Sequence, residues 1–130
     1  MTTFAPIPAE TELVSSQVSG GAIEVHRALG PGFLEKIYKE AVCLERHARG
    51  MQFERERAVA VWYRGVAIPG QRIDLIVERC VLIELKATSR IDIAQEAKVI
   101  SYLRTTGRSL GLLLNFNCRT TKEGVKRIVL

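Results

Sequence analysis

The stretch from Arg72 to Ala87, RIDLIVERCVLIELKA, constrains the fold more than any other part of the chain. It reads as two β-strands, Arg72 to Val77 and Cys80 to Lys86, joined by a tight turn. Alternate residues of a strand share a face. Asp74 then shares its face with Ile76, and Glu84 and Lys86 share theirs with Leu82. The opposite faces carry Ile73, Leu75 and Val77 on the first strand and Val81, Ile83 and Leu85 on the second. Apolar residues on both faces mark a central strand pair covered on both sides. Asp74, Glu84 and Lys86 are charges in a setting where each needs a partner.

The hairpin register decides which partner is available. If Glu78, Arg79 and Cys80 form a three-residue loop, Val77 pairs with Val81 and Asp74 lies opposite Glu84, with Cβ atoms roughly 5 Å apart. A two-residue loop shifts the pairing by one and puts the two carboxylates on opposite faces. The sequence leaves both registers open. In the first, the carboxylates repel unless a proton or cation intervenes. A divalent ion such as Mg²⁺, held by one or two carboxylates and water, removes the conflict. The alternative is an ion pair in which Lys86 answers Asp74 or Glu84 at a partly solvated sheet end.

The rest of the chain supplies layers for this hairpin. Residues 1–9, with Pro6 and Pro8, read as an extended lead-in. Residues 10–29 carry Leu13, Val14, Val18, Ala22, Val25 and Leu29 at helical spacing. Gly20-Gly21 weakens that helix by roughly 1 kcal/mol per glycine, and either a close helix crossing or a break accounts for the pair. Gly30-Pro31-Gly32 is a turn, and a second helix follows over residues 33–49 with Gly50 at its end. Strands are expected over 53–63 and 66–68, with a turn at Arg64-Gly65 and Pro69-Gly70 closing the unit. A third helix is expected over 91–106, capped by Ser89 or Asp92, then strands over 109–115 and 125–130. The order predicts a single α/β domain over 1–130, a mixed central sheet flanked by helices. Trp62 and Tyr63 read as sheet packing, with base stacking the alternative.

Composition narrows the function. The net charge of +5 favours a polyanionic partner such as nucleic acid. Part of that charge lies in RTTKEGVKRIVL, as a phosphate-facing patch or a solvated edge. No apolar run approaches the roughly 20 residues of a membrane span, and MTTFAPIPAETE shows no secretory signal pattern. The three scattered cysteines make no metal-ligand spacing, so reduced thiols and a cytoplasmic location are expected.

Asp74, followed ten residues later by Glu84-Leu85-Lys86, resembles the D…(D/E)xK signature of the PD-(D/E)XK nuclease superfamily. The stretch Gly32-Phe33-Leu34-Glu35-Lys36-Ile37-Tyr38 is similar to the motif of its GxxExxY branch. VHRALGPG, ELKA, Ala94-Gln95, SYLRTTG and GLLLNF also resemble that branch, so the likeness covers residues 13–130. It implies a restriction-endonuclease-like αβββαβ core with an extra N-terminal helix. It implies that Asp74, Glu84 and the backbone carbonyl of Leu85 bind Mg²⁺ or Mn²⁺ and that Lys86 is the catalytic lysine. Glu35 becomes an additional acidic site residue that would bind a second ion or tune the first, and Gln95 a polar residue aimed at the site. Ile73 stands where the superfamily has the proline of its "PD". Position 99 is Val where some branches have Tyr, but Tyr102 lies seven residues after Gln95, on the same helix side.

The resulting expectation is a metal-dependent nuclease acting on nucleic acid, DNA ahead of RNA. Lys98, Arg104, Arg119, Lys122 and Arg127 would position the phosphate backbone without reading sequence. The alternative is a catalytically silent nuclease-fold module that binds nucleic acid or a protein partner. A homodimer through the apolar hairpin and a partner that supplies specificity are compatible with either.

Overall fold

Five strands lie in one sheet in sequence order, β1 (Phe53–Tyr63), β2 (Val66–Val77), β3 (Val81–Lys86), β4 (Leu110–Asn115) and β5 (Val125–Val129). The computed structural model describes residues 6–130, apart from the side chains of residues 121 and 122. All strand pairs are antiparallel except β3–β4, which is parallel and therefore needs a crossover. The crossover is helix α3 (Ile93–Thr106). Helices α1 (Ala9–Leu29) and α2 (Glu35–Ala48) precede the sheet, and a four-residue helix α4 (Thr121–Gly124) enters β5. This is the expected mixed α/β architecture, a restriction-endonuclease-like core with an extra N-terminal helix. The short α4, which the sequence reading did not foresee, is the addition.

The sheet separates two cores. On one face Leu75, Val77, Val81, Ile83, Leu85, Leu110, Leu112 and Leu114 pack against Val18, Ala22 and Val25 of α1 and Tyr38 and Val42 of α2. On the other Ile76, Leu82, Leu113 and Ile128 meet Val99, Tyr102 and Leu103 of α3. Gly111 permits that second contact, since a Cβ there would lie 2.8 Å from Val99 Cγ1. Asp92 and Gln95 form a reciprocal capping box at the start of α3. Gly107 ends the helix in the left-handed region.

α1 runs unbroken through Gly20-Gly21 because α2 crosses it there. Arg46 of α2 is fully buried and donates to the carbonyls of Gln17 (3.4 Å) and Val18 (3.3 Å). A Cβ on Gly21 would lie 1.7 Å from Arg46 Nη2. Burial, and then Arg49, pull the Arg46 guanidinium down to about 10.

The sequence reading ends a strand unit at Pro69-Gly70, and the structure corrects this. β2 passes straight through, with Ile68 opposite Val61 and Gln71 opposite Val59. Pro69 and Gly70 together face Ala60, so a bulge absorbs both the proline's missing donor and the positive φ of Gly70 (128°).

Gly21→Ala is expected to lower stability by about 2 kcal/mol or more, because the added methyl displaces a buried guanidinium. Gly20→Ala, whose Cβ would meet Arg49 Nη1 at an ordinary 3.5 Å, is expected to be neutral or stabilising by up to about 1 kcal/mol. Urea unfolding of the two variants checks both signs.

Candidate active site

The hairpin adopts the three-residue loop, with Val77 opposite Val81, Ile76 opposite Leu82 and Leu75 opposite Ile83. Continuing that register by one step brings Asp74 level with Glu84, and there the ladder changes. The Asp74 N–H donates to Glu84 Oε1 (3.3 Å), and the Leu85 N–H donates to Asp74 Oδ2 (2.8 Å). Each carboxylate takes a backbone donor of the opposite strand.

The parting of the strands changes the faces as well. Leu75 and Val77 lie in the α1–α2 core as expected, but Ile73 packs with Ile76 in the α3 core. The expected grouping of Ile73 with Leu75 is therefore corrected, because alternation breaks at Asp74. On the neighbouring strand Glu56 has φ 48°, in the left-handed region.

The two carboxylates are reached from opposite layers. Lys39 of α2 sits 3.0 Å from Asp74 Oδ1 and 2.7 Å from Glu56 Oε1. Lys86 and Lys98 lie 3.8 and 4.0 Å from Glu84 Oε2. Burial lowers the Lys39 ammonium, but hydrogen bonds to Glu56 and Asp74 outweigh it and hold the group above its usual range. Glu84 is buried, and desolvation followed by the Asp74 charge pushes its carboxyl up to about 7. Desolvation opposes the Lys98 charge, and attraction to Glu84 then raises its pKa. Desolvation and Glu84 raise the Tyr102 phenol beneath it, whose ring centroid is 5.8 Å from Lys98 Nζ.

The Leu85 carbonyl points toward the same gap. N–H and C=O of one strand residue point the same way, and neighbours point oppositely. The Lys86 carbonyl accepts from Phe116 N–H on the β4 side (3.0 Å), so that of Leu85 faces β2, where its own N–H meets Asp74. Asn115 closes the ends of β3 and β4. Its Oδ1 accepts from Thr88 N–H (3.1 Å) and its Nδ2 donates to Thr88 O (3.0 Å).

Other expected residues stand apart from the pair. Glu35 is the first residue of α2, partly exposed, and makes no ion pair among the described residues. Tyr38 is fully buried and fixes the preceding turn. Its hydroxyl donates to Gly30 O (2.5 Å) and accepts from Phe33 N–H (3.1 Å), while its ring stacks on Phe116 at 4.6 Å. The Gln95 side chain accepts from Asp92 N–H (3.0 Å), so its oxygen serves the helix cap.

The expected phosphate-positioning residues do not form one patch. Lys98 stands at the carboxylate pair, whereas Arg127 is ion-paired with Glu12 on α1. Its neighbour Lys126 pairs with Glu96 on α3, so β5 sends its cations to opposite faces. Arg104 and Arg119 are exposed, and the Lys122 side chain lies outside the described residues. Lys39 and Glu56 are the site residues that sequence reasoning missed. Lys39 carried one usable signal, its position one helical turn beyond Glu35.

Two carboxylates and a carbonyl are hard oxygen donors of the kind Mg²⁺ or Mn²⁺ takes. A buried carboxylate with a raised pKa beside a second carboxylate suits such a cation. Among the described residues no third acidic, histidine or cysteine side chain joins the pair to make a cluster. The remaining coordination would fall to the Leu85 carbonyl and water.

A family model described as PD-(D/E)XK nuclease superfamily matches residues 12–128. No curated protein and no solved structure matches the chain. Among the described residues no helix is long and apolar enough to cross a membrane.

Because folding raises the Glu84 pKa from 4.5 to about 7, the protonated carboxyl is the form the fold favours. Its contribution is fully present below about pH 4.5 and is lost as pH rises through about 7. In EDTA, Glu84→Gln is expected to unfold at a higher temperature than the parent at pH 8, by a few °C. The gain should shrink toward zero by pH 5, and paired thermal melts at the two pH values check it.

Proposed function

Because the chain belongs to the PD-(D/E)XK nuclease superfamily, we propose that it is a divalent-metal-dependent nuclease that hydrolyses phosphodiester bonds in nucleic acid, DNA in the first place. Within the superfamily we assign it to the GxxExxY branch, on the motif from Gly32 to Tyr38. The observation that carries the reading is the pairing of Asp74 with a buried Glu84, two residues before Lys86 on the same strand.

Asp74, Glu84 and the Leu85 carbonyl would hold the ion. A divalent ion bound there lowers the pKa of its water and polarises a phosphoryl oxygen. The chain's own groups do the rest. Leu85 N–H holds Asp74 Oδ2 in place, and Asp74 N–H does the same for Glu84 Oε1. Lys86 orients the attacking water and offsets negative charge developing at phosphorus. Lys98 places a second ammonium beside the same carboxylate, where it draws in the phosphate. Lys39 keeps Asp74 neutralised from the α2 side and fixes its orientation.

That last contact also favours the second reading, a silent module, since Asp74 already has a cation. The purified protein is expected to nick plasmid DNA in Mg²⁺ or Mn²⁺ and to stop in EDTA. Glu84→Ala should abolish cutting, and Lys86→Ala should slow it at least about a hundredfold. Equal cutting by Glu84→Ala would expose a contaminant and sink the nuclease reading. DNA binding that is salt-sensitive but indifferent to EDTA and to Asp74→Asn, with no cutting, would establish the silent module instead.

A further inference from the structure

β1 and β2 extend well beyond the sheet. They stay paired from Phe53 opposite Val77 out to Tyr63 opposite Val66, whereas the β2–β3 pairs are confined to Leu75, Ile76 and Val77. The outer part is a two-stranded arm turning at Arg64-Gly65, both with positive φ (51° and 77°), as a two-residue hairpin turn requires. Its root is anchored, because Val59 is buried against the α3 core.

Among the described residues, nothing packs over the tip. Trp62 is 70% exposed, Tyr63 62%, Val66 62% and Ile68 49%. The sequence reading of Trp62 and Tyr63 as sheet packing is therefore corrected. Adjacent strand residues point to opposite faces, so the tip presents one aromatic ring on each side of the ribbon. Apolar surface held out in solvent marks an interaction site.

Charge selects the occupant. From Arg57 to Ile73 the chain contains Arg57, Arg64 and Arg72 and no Asp or Glu; Arg57 pairs with Glu54 (3.4 Å), while Arg64 and Arg72 make no ion pair among the described residues. At the root, Arg72, Gln71 and Gly70 of the arm and Lys98 and Tyr102 of α3 line a cleft of about 480 Å³. Lys98 also stands 4.0 Å from Glu84, so a cationic track runs from the carboxylate pair to the arm. Pairing two copies through this tip would bring two arginine-bearing arms together, at a cost in charge repulsion. A polyanion carrying flat apolar rings satisfies both features at once: phosphates meet the arginines and bases stack on the aromatics.

We propose that the β1–β2 arm is a binding element for nucleic acid with unpaired bases, a single strand or a fork, with Trp62 and Tyr63 stacking on bases beside the site. The proposal deepens the nuclease reading and rests on it for the substrate class. Trp62 is the only tryptophan in the chain, so its fluorescence reports the contact directly. The full chain carrying Glu84→Gln is titrated in EDTA with a mixed-sequence 30-nucleotide strand, a fork and a blunt duplex, each as DNA and as RNA. The strand and the fork should quench the tryptophan and the duplex should not; the DNA and RNA arms identify which unpaired strand is preferred. By anisotropy of labelled fork, Trp62→Ala combined with Tyr63→Ala should weaken binding roughly ten- to a hundredfold. Trp62→Phe, which keeps a stacking ring, should stay close to the parent.

Absence of quenching by every oligonucleotide overturns the proposal. So does a duplex that quenches as strongly as the fork, or an alanine pair that binds like the parent. A dimer that the alanine pair converts to monomer, seen by native mass spectrometry, would assign the tip to a second copy and overturn it too. The two readings fail separately. Quenching by the fork with no cutting by the unsubstituted protein leaves the arm standing and removes the nuclease. Cutting of plasmid that the alanine pair performs as fast as the parent, with no quenching, does the reverse.

Discussion

The structure turns on the place where β2 and β3 separate. Two strands buried on both faces cannot part without orphaning backbone donors, and an orphaned buried N–H is costly. Asp74 and Glu84 resolve this by accepting the freed donors themselves, Asp74 from Leu85 and Glu84 from Asp74. The carboxylates of the proposed site are thus also the groups that complete the hydrogen bonding of the parted strands. This links the acids to the fold, and it fixes their oxygens relative to β3, where the neighbouring Lys86 stands.

Much of this was legible in the sequence, and the reasons are specific. The double-faced apolar pattern from Ile73 to Leu85 could belong only to central strands, and the α-helical periods on either side supplied their cover. The hairpin register was open between two loop lengths; the three-residue loop was one of them and is the one adopted. What the sequence could not carry was the break in alternation at Asp74. A bulge or a splay leaves the residue types unchanged, so Ile73 reads as a companion of Leu75 until its neighbours are seen. Pro69-Gly70 misled for the same reason: it is a strong stop signal, and a bulge opposite Ala60 absorbs it.

The cations were the least legible part, for a physical reason. A long lysine side chain reaches several ångströms from its backbone, so its sequence position says little about which charge it meets. Lys39 lies 35 residues from Asp74 and meets it across a helix–sheet interface. Lys98, read as a backbone-positioning residue, ends beside a buried carboxylate, while Arg127 is drawn to Glu12 on the far face. Net charge of +5 therefore says nothing about where a polyanion would lie; the local pairing of each cation does.

That distinction separates the inner site from the arm. Among the cations near Asp74 and Glu84, Lys39 is held between two carboxylates, so its charge is largely spent within the protein. The arm is different: Arg57 at its root pairs with Glu54, but Arg64 and Arg72 make no ion pair among the described residues, and its rings face solvent. A site whose acids repel a polyanion needs attraction supplied from nearby, because two closely placed carboxylates oppose a phosphate's approach. An arginine-bearing ribbon rooted at Lys98 supplies that attraction beside the acids without adding a further cation to those already on Asp74 and Glu84.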